Sequence, residues 1–124
     1  MSEQATFKKR LLIVDDDHSL RQMLGWAFED LGYAVWTAAD CLEAATTVKT
    51  REFDYALVDH HLPDGNGNTL SLRLRKVMPS LKVMLMSADH GVQPPLAEND
   101  NTPIGFMAKP LRPAQIARWF SAVA

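Results

Sequence analysis

Four places in this 124-residue sequence combine side chains suited to chemistry with a short apolar run just before them. Asp15, Asp16 and Asp17 follow Leu11-Leu12-Ile13-Val14, and Asp59 follows Tyr55-Ala56-Leu57-Val58. Ser87 closes Val83-Met84-Leu85-Met86, and Lys109 closes the weaker run Gly105-Phe106-Met107-Ala108. Carboxylates gathered in one place repel, and like charges at close range push at least one pKa upward. A hard divalent cation or an ammonium neutralises such a cluster, and oxygen-only ligands favour Mg²⁺ over zinc. Lys109 offers a fixed positive charge and Ser87 a hydroxyl donor. Beside a metal, the pair suits a tetrahedral oxyanion, which is what phosphoryl transfer requires.

Taken singly, each residue has a plainer role. Asp17 reads as the cap of a helix starting near His18, and that role is preferred to a metal ligand. Ser87 alone is a strand-end turn residue, and Lys109 alone a surface lysine lying over an apolar strand end. Asp59 alone is a turn former, since Pro63-Asp64-Gly65-Asn66-Gly67 follows. Their joint occurrence at four strand ends, in this order, is what favours a site. The His60-His61 pair suggests a transition-metal site, but neighbours in extended chain point to opposite faces, which argues against it.

The elements that must position these residues alternate. Together with Tyr33-Ala34-Val35-Trp36, the apolar runs are continuous, as strands covered on both faces require, and this predicts a parallel sheet. Between them the period becomes helical. Leu20, Leu24, Ala27 and Leu31 form one stripe, ending at Gly32; Leu42, Ala45 and Val48 form a second. Leu70, Leu74 and Val77 form a third, closed by Pro79, and Ile116, Phe120 and Val123 a fourth after Pro113, a first-turn proline. Strands alternating with helices predict right-handed βαβ units in a doubly wound sheet, whose ligands gather at the carboxyl ends of the strands. The segment Gln93 to Pro103 breaks the rhythm. Its prolines and its Asn99-Asp100-Asn101-Thr102 run predict at most one or two helical turns from Pro94 or Pro95, so the helix expected there is short or irregular.

Composition bounds the remaining choices. The length fits one domain over 1–124, with its core at about 11–123 and residues 1–9 as an N-terminal extension. A net charge of −2 gives no electrostatic reason to expect nucleic-acid binding, and Lys8-Lys9-Arg10 reads as a solvated strand entrance. Cys41 is alone, so no disulfide framework exists, which favours a reducing compartment. No run approaches the ~18 apolar residues of a membrane span. A soluble, cytoplasmic protein is expected. Trp26 and Trp119 read as helix-packing residues rather than a partner surface.

From about Leu11 to Val123 the chain resembles the receiver domain of two-component response regulators. The motifs are Leu12-Ile13-Val14-Asp15-Asp16-Asp17, Val58-Asp59-His60-His61-Leu62-Pro63-Asp64-Gly65-Asn66-Gly67, Met86-Ser87-Ala88 and Phe106-Met107-Ala108-Lys109-Pro110. The resemblance implies a flavodoxin-like, doubly wound five-stranded sheet in the order 2-1-3-4-5. It implies that Asp15 and Asp16 position Mg²⁺ (or Mn²⁺), with the His61 backbone carbonyl as a further ligand. It makes Asp59 the phosphoacceptor, Lys109 its charge partner, and Ser87 and Phe106 the switch pair. Pro110 matches a proline whose preceding bond the family often holds cis. His61 and Asp89 fall where the family tunes phosphoryl lifetime. The implied partners are a sensor histidine kinase or a histidine phosphotransfer protein, with a weak homodimer possible; no membrane or nucleic acid is implied for this domain. The implied activity is phosphoacceptance and switching rather than enzymatic turnover. Three rivals differ. A haloacid-dehalogenase-like phosphatase wants Asp-x-Asp with the nucleophile first, where this chain has Asp59-His60-His61. A flavodoxin-like FMN carrier wants a hydroxyl-rich loop after strand one, where three aspartates stand. A degenerate receiver that only docks would not keep the acidic pair, Asp59, Ser87 and Lys109.

Overall fold

The computed structural model describes residues 8–88 and 104–122. The expected irregular segment around Gln93 to Pro103, and Asp89, lie outside the described residues. Five parallel strands, β1 (Arg10–Val14), β2 (Ala34–Ala38), β3 (Tyr55–Asp59), β6 (Lys82–Ser87) and β7 (Ile104–Ala108), form one sheet in the order β2-β1-β3-β6-β7. Counting only this sheet's strands, that is 2-1-3-4-5, as expected. Two further strands, β4 (His61–Leu62) and β5 (Gly65–Asn66), make a small antiparallel hairpin right after β3. The turn expected from Pro63-Asp64-Gly65 is thus the tip of a paired hairpin.

The continuous apolar runs are two interleaved faces. Leu12, Val14, Ala56, Val58, Val83 and Leu85 face one side, and Leu11, Ile13, Tyr55, Leu57, Met84 and Met86 the other. Helices α2 (Cys41–Thr47) and α3 (Gly67–Val77) cover the first face; α1 (His18–Asp30) and α4 (Pro113–Ala122) cover the second. Burial on both faces holds for β1 and β3, whereas Ala34, Val35 and Trp36 on the edge strand β2 are only half-buried.

Helix ends follow local chemistry. Asp17 caps α1 by accepting from the Leu20 amide at 3.1 Å, the role expected of it. The helix stops in a Schellman turn: Tyr33 N–H donates to Phe28 O at 3.0 Å, and Gly32 N–H to Glu29 O at 3.0 Å. Gly32 has φ of 97°, which an L side chain rarely adopts. Asn66 caps α3, and Pro113 opens α4.

The stripes are partly out of phase with expectation. In α2 the buried residues are Cys41 and Ala44, followed by Val48 at the C-terminal cap as expected, while Leu42 is 72% exposed. In α3 Leu70 and Leu74 are buried as expected, but Val77 is exposed and Met78 packs on the core instead. In α1 Phe28 takes the core position, and Leu31 is exposed. Trp119 packs against the core as expected, whereas Trp26 is largely exposed. Leu42→Ser should therefore shift stability by less than about 0.5 kcal/mol. Leu74→Ala, emptying a buried site, should cost about 3 kcal/mol. Urea unfolding of both variants checks the assignment.

Candidate functional site

Sheet register brings the carboxyl ends of β1, β3, β6 and β7 to one edge. Asp59 lies opposite Met86, and Ser87 opposite Ala108, so Lys109 follows directly beside Ser87. The ladder continues past the strands: His60 N–H donates to Met86 O, and Lys109 N–H to Ser87 O, each at 2.8 Å. Asp15 N–H donates to Ala38 O at 3.1 Å, extending the β1–β2 pairing. The peptide bond Lys109–Pro110 is cis, as the resemblance implied.

On this edge one carboxylate oxygen each from Asp15, Asp16 and Asp59 lie within 4.8 Å of one another. Asp15 and Asp59 are buried; Asp16 is exposed. The Lys109 ammonium stands 3.6 Å from Asp15 Oδ2 and 3.5 Å from Asp59 Oδ2. Asp15 Oδ1 accepts from the Asp17 amide at 2.9 Å, while Asp15 Oδ2 is buried and lacks a hydrogen-bond partner among the described residues. Burial, first, and then the neighbouring Asp59 and Asp16 push the Asp15 carboxyl above the ordinary carboxylate range, against the pull of the Asp17 amide and of Lys109. An all-oxygen donor set, with one buried oxygen lacking a hydrogen bond, fits a hard divalent cation.

The structure therefore brings Asp15, Asp16, Asp59 and Lys109 together, and places buried Ser87 on the same edge. His61 is exposed in β4, and its amide donates to Asp59 Oδ1 at 3.3 Å. Phe106 is half-buried one face-repeat before Ala108, packed on the α2/α3 side. The rings of His60 and His61 do not point apart: they meet edge to face at 4.7 Å, because the chain bends into the hairpin here. The two rings are thus neighbours, yet no acidic, cysteine or third histidine group joins them among the described residues.

Three contributors escaped the sequence reading. Arg21 Nη1 donates to Asp15 O at 2.7 Å, bracing the β1–α1 turn. Gly67 lets α3 begin directly against the loop that follows β3, since a Cβ there would overlap the carbonyl of Asp59. Asp64, read only as a turn residue, caps α2. No periodicity marks a contact between a turn residue and a helix some twenty positions back.

Because the folded pKa of Asp15 is raised, its stabilising contribution is full below the ordinary value of 3.8 and lost as pH rises through the raised value. In Asp15→Asn the amide oxygen can still accept from Asp17, but nothing ionises. Without metal, the variant should melt higher than the wild type at neutral pH by a few degrees, for roughly 1 kcal/mol. The gap should close as the pH is lowered towards the ordinary carboxylate range. Calorimetry across that range checks it, and a gap that is absent or independent of pH would refute the account.

Comparison with known proteins gives the same edge a family. Residues 11–120 match the response regulator receiver domain. The chain is 26% identical over 107 residues to the alginate biosynthesis transcriptional regulatory protein AlgB of Pseudomonas aeruginosa, covering 86% of this chain and 24% of that protein. It thus spans about a quarter of the length of such curated relatives. A two-component response regulator from Clostridium difficile superposes with a TM-score of 0.81 at 26% identity, over 93% of this chain and 94% of that one. A response regulator from Burkholderia pseudomallei, solved with a phosphorylated aspartic acid, calcium ion and citrate, superposes with a TM-score of 0.79 at 25% identity, over 89% of this chain and 65% of that one. A match along nearly the whole length, on a parallel sheet that collects aspartates and a lysine at one edge, makes this chain a member of the response regulator receiver domain family, the phosphorylation-driven signalling modules of two-component systems.

Proposed function

We propose that this chain is a working phosphoacceptor, one domain over 1–124, that takes a phosphoryl group onto Asp59 from a histidine of a sensor kinase or phosphotransfer protein in the cytoplasm. The observation that carries the reading is the placement of Lys109 within 3.6 Å of both Asp15 and Asp59, with the Asp15, Asp16 and Asp59 oxygens clustered beside it. A docking-only receiver has no need of a buried, mutually repelling acidic set. The relative from Burkholderia pseudomallei carries a phosphorylated aspartic acid and a calcium ion, which supports the same chemistry here.

Asp15, Asp16, Asp59 and the His61 carbonyl would hold Mg²⁺ (or Mn²⁺), which when bound supplies positive charge to the phosphoryl oxygens. A carboxylate oxygen of Asp59 attacks phosphorus, the O–P bond forms as the P–N bond breaks, and the imidazole leaves with the electron pair. Lys109 takes a share of the oxyanion charge through its ammonium. The Ser87 hydroxyl then donates to the phosphoryl group, drawing the end of β6 towards Asp59. Phe106, which has no hydroxyl, follows by packing alone, and the two arrangements form a shifted two-state equilibrium. His61, and Asp89 beyond the described residues, set how fast the acyl phosphate hydrolyses. The proposed activity is phosphoacceptance and switching, with at most slow self-dephosphorylation, rather than enzymatic turnover.

Acetyl phosphate should label the wild type in the presence of Mg²⁺ and not in excess EDTA, and Asp59→Asn should stay unlabelled under both conditions. Intact-mass spectrometry reads this directly, and equal labelling of the variant would overturn the assignment. Millimolar Mg²⁺ should also raise the melting temperature of the wild type, because it binds only the folded cluster.

A further inference from the structure

The N-terminus of α2 is held by two carboxylates of different origin. Asp40 accepts from the Glu43 amide at 2.8 Å, and Glu43 Oε1 accepts from the Ala39 amide at 2.6 Å, a local cap. The first two amides of the helix donate elsewhere: Cys41 N–H to Asp64 Oδ1 at 2.8 Å and Leu42 N–H to Asp64 Oδ2 at 3.0 Å. Asp64 sits at the tip of the β4–β5 hairpin, whose ends are Asp59 on one side and Gly67 on the other. Both its oxygens are used, and these backbone donors hold its carboxyl below the ordinary range, so it stays ionised.

The path through these bonds links the two loops that carry the acidic cluster. Asp15 is bonded through its amide to Ala38 O, two residues before the Asp40 cap. The hairpin pairs His61 with Asn66, and the His61 amide bonds Asp59 Oδ1. The end of β1 and the loop after β3 are therefore tied twice, once by the sheet and once outside it, through α2 and Asp64. The hairpin has only two residues in each strand, and of residues 61–66 only Leu62 is buried in the core, so Asp64 adds a second anchor at the exposed tip.

We propose that Asp64 is a positioning residue for the cation site, fixing the Asp59–Gly67 loop against the β1 end so that the His61 carbonyl and the Asp59 carboxylate keep their places opposite Asp15 and Asp16. It touches neither metal nor phosphoryl group and acts through the hairpin. The inference rests on the divalent-cation reading of the site.

The test is Mg²⁺ affinity of the full chain, read from amide NMR shifts during titration with MgCl₂ well below each variant's melting temperature. Asp64→Ala should weaken binding roughly tenfold, as loss of a group that orients ligands does. Asp64→Asn, which keeps one acceptor oxygen, should fall between it and the wild type, and decides the matter if the alanine variant does not fold. Asp40→Ala removes a cap from the same helix without touching the hairpin, and should keep Mg²⁺ affinity close to that of the wild type. Equal weakening by Asp40→Ala and Asp64→Ala would show that only helix stability is at work, and would overturn the inference while leaving the metal reading intact. Unchanged affinity in both Asp64 variants would overturn it equally. A wild type that shows no Mg²⁺-dependent shifts would overturn the metal reading, and the inference with it.

Discussion

The constraint on which the rest depends is the burial of the Asp15 carboxylate beside that of Asp59. Removing a charge from water is costly unless it is paired, and a second carboxylate nearby makes it worse. Among the described residues, only the ammonium of Lys109, itself partly exposed, stands against both, at 3.5 and 3.6 Å. Such a cluster is poor engineering for stability alone. It persists because the backbone around it is over-determined: β3 is paired on both sides, and the ladder is extended by bonds from Asp15, His60 and Lys109 beyond the strand ends. The apolar faces on each side of the sheet provide the surplus that lets one edge carry mutual repulsion.

Much of that scaffold was legible because a parallel sheet covered on both faces needs uninterrupted apolar runs, and few other arrangements do. Leu11 to Val14 and Tyr55 to Val58 could hardly be anything else. Once the strands were placed, the rule that ligands gather at their carboxyl ends pointed to Asp15, Asp59, Ser87 and Lys109 without knowledge of any side-chain geometry. Asp17 was also readable, since capping is decided by residues within one turn.

What escaped was whatever depends on phase or on distance along the chain. A short helix has too few turns to average out one misplaced leucine. In α2, Leu42 suggested a stripe, but the small residues Cys41 and Ala44 are the ones buried in the core on that side of the sheet, and Leu42 turns to solvent. In α3 the stripe extends to Gly67, Ser71 and Arg75, which are buried though not apolar, so hydropathy could not show it. Ser71 is satisfied by Gly67 O at 2.7 Å and Arg75 bonds Leu81 O at 3.1 Å, so their burial leaves polar groups paired. The meeting of the His60 and His61 rings depends on the hairpin bend, and Asp64 on a partner 22 and 23 positions away.

The register that assembles the edge also bears on how a change there would travel. Ser87 and Leu85 lie on one side of β6, opposite Ala108 and Phe106 on β7, and Lys109 is bonded through its amide to Ser87 O. A shift of Ser87 towards Asp59 would therefore pull on the backbone that carries Lys109 and, three residues earlier, Phe106. Phe106 is only half-buried against the α2/α3-side cluster, so its ring has apolar area to gain by turning inward and little packing to break first. At about 25 cal/mol per Å² of apolar surface, a change of some tens of Å² is worth about 1 kcal/mol, enough to shift a two-state ratio severalfold. A tyrosine in the same place would add a hydroxyl needing a partner in each state. Under the proposed switch, Phe106 would carry no such requirement, and the balance would rest on apolar burial.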